Sequence, residues 1–73
     1  MKITDLMNQL HAESKNQAIK DDNYACAFGE LDGVQIQSTS FVVRTNSKKG
    51  VVNSIWYANG KKISRDKLVS MFA

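Results

Sequence analysis

Hydrophobic and polar positions change their spacing twice along this chain, from a helical period to alternation and back. Leu6, Met7 and Leu10 fall at i, i+1 and i+4, with Ile3 leading in, which places them on one stripe of an α-helix. Thr4 is positioned to cap this helix. Asp5 suits its first turn, where unpaired amides and the helix dipole favour an anion. Beyond Leu10 the pattern admits two readings. Ser14-Lys15-Asn16-Gln17 has the form of a capping box, which restarts a short helix through Ala18 and Ile19. Alternatively, one helix runs from Asp5 to about Lys20. Glu13, Lys15 and Asn16 offer little to bury, which favours the break. Asp21-Asp22-Asn23 then ends helical structure, because short polar side chains compete for backbone hydrogen bonds.

From Tyr24 the period becomes two. Tyr24, Cys26 and Phe28 alternate with Ala25, Ala27 and Gly29 in a strand closing at Leu31. Asp32-Gly33 predicts a tight hairpin, since a type I′ turn needs positive φ at both central positions. The second strand runs from Val34 to about Thr45. Its apolar side changes near Ser40-Phe41, and a bulge or twist there would reset the face. A longer turn over residues 46–50 leads to a third strand, Val51 to Ala58. Asn59-Gly60 is another tight turn, and Lys61-Lys62-Ile63 has room for a very short returning strand. Ser64 caps a final helix with Asp66 in its first turn and Leu68, Val69 and Phe72 on its apolar face. Ile63 before the cap and Leu68 at the fourth helical position form a hydrophobic staple. The expected fold class is α+β: a three- or four-stranded antiparallel β-meander covered by an N-terminal helix, or two, and a short C-terminal helix.

Seventy-three residues are expected to make a single domain, 1–73. A chain this short buries only about 60% of the surface its unfolded form exposes, so it gains from a cross-link, a metal or a partner. Cys26 is the only cysteine and His11 the only histidine, too few for a disulfide or a four-ligand zinc site. No cofactor and no metal are expected, and a homodimer is the remaining device. The N-terminal residues reach an acid, Asp5, without an apolar run, which is not the pattern of a secretion signal. No segment approaches the about 20 apolar residues that span a membrane. A cytoplasmic protein is expected.

Charge is divided by position. Residues 1–32 carry three lysines against six acids, and residues 33–73 carry seven cations, Arg44, Lys48, Lys49, Lys61, Lys62, Arg65 and Lys67, against Asp66 alone. The net +3 therefore conceals an acidic front and a basic back. No glycine-rich phosphate loop, zinc spacing or calcium loop is present. His11 and Cys26 have no motif that brings them together, and a thiol in an Ala-Cys-Ala-Phe strand reads as core. A non-enzymatic role follows.

Binding uses more of the residues. Trp56 and Tyr57 are adjacent on a strand and must point to opposite faces, so one joins the core and the other the outer surface. Tyr24, Phe41 and one of these two are candidates for contact with a protein. Arg44, Lys48, Lys49, Lys61, Lys62, Arg65 and Lys67 are candidates for steering an acidic partner or touching phosphate. The expectation is a small regulator, inhibitor or accessory subunit that binds a protein with an acidic surface. A nucleic-acid-binding protein using the same cations is the alternative. In a meander the 46–50 and 59–60 turns lie at opposite ends of the sheet, about 25 Å apart for strands of this length. The two lysine pairs then make no single patch.

Overall fold

The computed structural model describes the backbone of residues 2–45 and 48–73, and within them the side chains outside 44–53. Helix α1 (Ile3–Asp21) leads into strands β1 (Tyr24–Leu31), β2 (Val34–Thr45), β3 (Lys48–Ala58) and β4 (Lys61–Ile63), and helix α2 (Arg65–Met71) follows. The strands form one antiparallel sheet in the order β1-β2-β3-β4. This is the expected α+β meander with a helix at each end.

The first helix is unbroken, contrary to the break expected at Ser14. Its buried residues are Ile3, Leu6, Met7, Leu10, Ser14 and Ala18, a continuous helical stripe whose side chains become smaller toward the C-terminus. Ser14 belongs to the packed stripe, so its capping-box form is a coincidence of composition. Thr4 is not the cap either. Lys2 occupies the N-cap with extended dihedrals and makes no side-chain cap bond. Asp22 ends the helix in the left-handed conformation, φ 53°, and its N–H bonds the Ala18 and Ile19 carbonyls. The Asn23 N–H also reaches the Ala18 carbonyl, 3.2 Å away, the six-to-one bond of a Schellman ending.

Both tight turns form as predicted. Asp32 and Gly33 have φ of 51° and 80°, and Asn59 and Gly60 have φ of 50° and 83°, the paired positive values of a type I′ hairpin. The register of β2 on β3 is continuous through Ser40-Phe41 and shifts only between Val43 and Arg44. The bulge expected at Ser40 is therefore absent, because the serines there point inward. Strand β3 begins at Lys48, so Lys48, Lys49 and Gly50 are strand residues by their backbone, and Asn46 and Ser47 of the expected turn lie outside the described residues. Ser64 caps α2 by accepting from the Lys67 N–H at 3.2 Å.

Helix α1 lies on one face of the sheet, and the core is built from Ile3, Leu6, Met7, Leu10, Ala27, Ile36, Trp56 and Leu68. The strands meet the helix mainly with small side chains. Ala25, Ala27, Ser38 and Ser40 are buried, and Gly29 lies so close that an added Cβ would stand 3.0 Å from Leu6 Cδ1. Small residues let the helix axis approach the sheet. The consequence is that the aromatic side chains of β1 are turned the other way.

Candidate functional site

The open face of the sheet follows from the strand alternation. With Ala25, Ala27 and Gly29 turned to the helix, Tyr24, Cys26 and Phe28 are turned outward. The register extends these positions across the strands in rows. Tyr24 pairs with Phe41, Cys26 with Thr39 and then Ile55, and Phe28 with Gln37, Tyr57 and then Lys62. Tyr24 and Phe28 are 64% and 59% exposed, while Phe41, Ile55 and Tyr57 are partly buried among their neighbours. The face thus carries aromatic side chains interspersed with Thr39 and Gln37, and Lys62 ends its third row.

Trp56 and Tyr57 separate as strand geometry requires. Trp56 takes the inner position, 8% exposed, opposite Ser38 on one side and Ile63 on the other. Its expected role in partner contact is therefore replaced by one in the core. Tyr57, Phe41 and Tyr24 share the outer face, and Phe28, not among the expected contacts, joins them. The alternation of Phe28 with Ala27 and Gly29 is the sequence signal for this outward position, given that the small residues are the buried set.

Cys26 is exposed, which overturns its reading as core. Its Sγ lies 3.3 Å from Thr39 Oγ1, and Gln37 Nε2 donates to that Oγ1 at 2.9 Å and to the sulfur at 3.5 Å. A small polar island therefore sits between the aromatic rows. His11 is on the opposite side of the sheet, so the two residues form no pair.

The expected cations divide into two groups. Lys61, Lys62, Arg65 and Lys67 are all exposed where β4 passes into α2. The side chains of Arg44, Lys48 and Lys49 lie outside the described residues. Their backbones pair Arg44 with Lys49 at the far end of the β2-β3 hairpin. The two lysine pairs thus sit at opposite ends of β3, as the meander requires.

Beneath the sheet is a feature that periodicity alone does not show. Ser14 Oγ lies 3.0 Å from Ser38 Oγ and 2.6 Å from Ser40 Oγ, Ser40 continues to Ser54 at 3.1 Å, and Ser54 reaches His11 Nδ1 at 2.8 Å. Ser14 itself donates to the His11 carbonyl at 3.2 Å. Each hydroxyl has one proton, so the directions can be assigned in turn. Ser14 spends its proton on the carbonyl and accepts from Ser38 and Ser40. Ser40 then accepts from Ser54, which leaves His11 Nδ1 as the donor to Ser54. In a neutral ring Nε2 is then the acceptor.

His11 and Ser54 also line a cleft of about 600 Å³ between α1 and the β3-β4 edge. Met7, Trp56 and Ile63 supply apolar wall, and Asn8, Lys62 and Arg65 add polar and cationic groups, with no carboxylate among the lining residues. Among the described residues, no three His, Cys, Asp or Glu side chains gather as a metal site, and no helix is long and apolar enough to cross a membrane. The chain matches no protein-family model, no curated protein and no solved structure.

Proposed function

We propose that this protein is a small non-enzymatic binding module, a regulator, inhibitor or accessory subunit, that docks a protein with an acidic surface on the open sheet face. One observation carries the reading: the aromatic side chains of β1 face away from the helix. Tyr24 and Phe28 stand exposed in line with Phe41, Ile55 and Tyr57. A strand that buries alanine and glycine while presenting aromatics has its stickier side outward, the mark of an interaction surface. Lys62 at the end of a row, with Lys61, Arg65 and Lys67 beside it, selects an acidic partner and orients its approach.

The same face supports a second reading. Aromatic rings on an open antiparallel sheet with a lysine at the rim are also what single-stranded nucleic acid uses for base stacking and phosphate contact. The two are separated by using the tagged full chain as bait in its native extract, with and without nuclease, beside the Tyr24→Ser/Phe28→Ser and Lys61→Glu/Lys62→Glu variants. A single protein should be retained in stoichiometric amount after nuclease. Its affinity, remeasured with the purified partner, should fall at least about tenfold in the aromatic variant, the cost of losing two interface anchors. Retention that nuclease abolishes and that depends on the lysines would transfer the assignment to nucleic acid. Binding indifferent to both variants would remove the sheet face from consideration.

A further inference from the structure

Strand β3 is paired on its outer side for only three residues. Trp56, Tyr57 and Ala58 face Ile63, Lys62 and Lys61, and the next residue after Ile63, Ser64, turns the chain into α2. The hydrogen-bonding direction of β3 can be read from its other side. The Asn59 N–H bonds the Gln35 carbonyl at 2.8 Å, and these two residues are directly opposite when the register is continued. Odd-numbered residues of β3 in this stretch therefore bond β2, and even-numbered ones bond outward, Ala58 and Trp56 to β4. The next even residue is Ser54. Its position across from β4 falls to Arg65, which is already helical, so the Ser54 N–H and C=O are directed to a lane that no strand of the described residues fills. Among the described residues no strand accompanies β3 from there back to Lys48.

That lane opens on the cleft lined by His11, Ser54, Lys62 and Arg65. We infer that the β3 edge at Ser54 accepts an extended acidic segment of the partner protein, which pairs with β3 as a continuation of β4 and places a carboxylate in the cleft. The inference deepens the protein-binding reading and rests on it. Backbone pairing at an exposed edge provides sequence-tolerant affinity, and a pocket beside the edge reads alternate side chains. Charge decides the class of side chain. Arg65 lines the cleft, Lys62 stands on the strand that borders it, and no Asp or Glu is among the lining residues, so an anionic side chain is favoured there and a cationic one repelled. The other free edge, β1, belongs to a strand carrying Glu30 and no cation.

The test uses a random heptapeptide library displayed on phage and panned on the full chain bearing Tyr24→Ser/Phe28→Ser, so that selection is not directed by the aromatic face. Enriched peptides should be acidic and rich in β-branched residues. The synthetic peptide should shift the amide resonances of Ser54, Trp56 and Ile63 and slow exchange of the Ser54 amide at least about tenfold. The Lys62→Glu/Arg65→Glu variant changes only exposed residues and should keep its fold by circular dichroism while losing at least about tenfold in affinity. Failure to enrich any peptide overturns the inference. So do enriched peptides without acidic residues, shifts confined to β1, or binding unaffected by the charge reversal. A peptide recovered only on the unmodified chain and mapping to Tyr24 and Phe28 would overturn this edge site while leaving the sheet-face reading in place.

Discussion

Ser14 shows what a single side chain does here. It is 1% exposed in the middle of a helix, where a serine normally gains nothing, yet its hydroxyl joins the helix to two strands. Removing it leaves the buried Ser38 and Ser40 hydroxyls short of a partner. Ser14→Ala is expected to cost about 1–3 kcal/mol, the penalty of unsatisfied buried hydroxyls, reduced by the few tenths that alanine gains in a helix. Ser14→Ala with Ser40→Ala should cost less than the two single changes added together, because the second change removes a group the first had orphaned. Urea unfolding of the four proteins checks both the cost and the non-additivity. Additive losses would mean that the serines stabilise independently.

At the scale of elements, the two helices end differently. Ser64 gives α2 a side-chain cap, whereas Lys2 at the corresponding position of α1 makes none. Ser64→Ala should therefore destabilise by about 1 kcal/mol, and Lys2→Asp should stabilise by about 0.5–1 kcal/mol through a new bond to the first turn and the helix dipole. Thermal unfolding of the two variants should move the melting temperature in opposite directions. The same comparison shows what was legible in the chain itself. The α2 cap, the hairpins at Asp32-Gly33 and Asn59-Gly60 and the limits of β2 all depend on the chemistry of a few adjacent residues. The continuity of α1 does not. Ser14 is a cap or a core residue according to what lies across from it, and Ser38, Ser40 and Ser54 come from distant parts of the chain.

For the whole molecule, the basic β4-α2 region and the aromatic face predict a division of labour in binding. On the proposed binding reading, the cations would act at long range and the rings at contact. Raising the salt from about 10 to 500 mM is expected to slow association with the acidic partner by about tenfold or more, with a much smaller change in dissociation. Tyr24→Ser/Phe28→Ser should do the reverse, speeding dissociation. Surface-immobilised kinetics with the identified partner read both rates. Salt-independent association would remove the steering role from Lys61, Lys62, Arg65 and Lys67.

The local order of helix, meander and helix is determined by the sequence, because turn sterics, capping and period act over a few residues. The choice of faces is decided only by the tertiary structure. Alternation states that Tyr24, Cys26 and Phe28 oppose Ala25, Ala27 and Gly29, and that Trp56 opposes Tyr57, without stating which set is buried. Hydrophobicity favours burying the larger β1 set. The close approach of α1 reverses this along residues 25–29 of β1, since Leu6 Cδ1 stands 3.0 Å from the place of a Gly29 Cβ and leaves room there only for small side chains. Trp56 is buried where it pairs with Ile63 of β4 and shares the core with Leu68 of α2. The distance between helix and sheet thus turns the aromatics of β1 outward, and that distance is a property of the packed molecule alone.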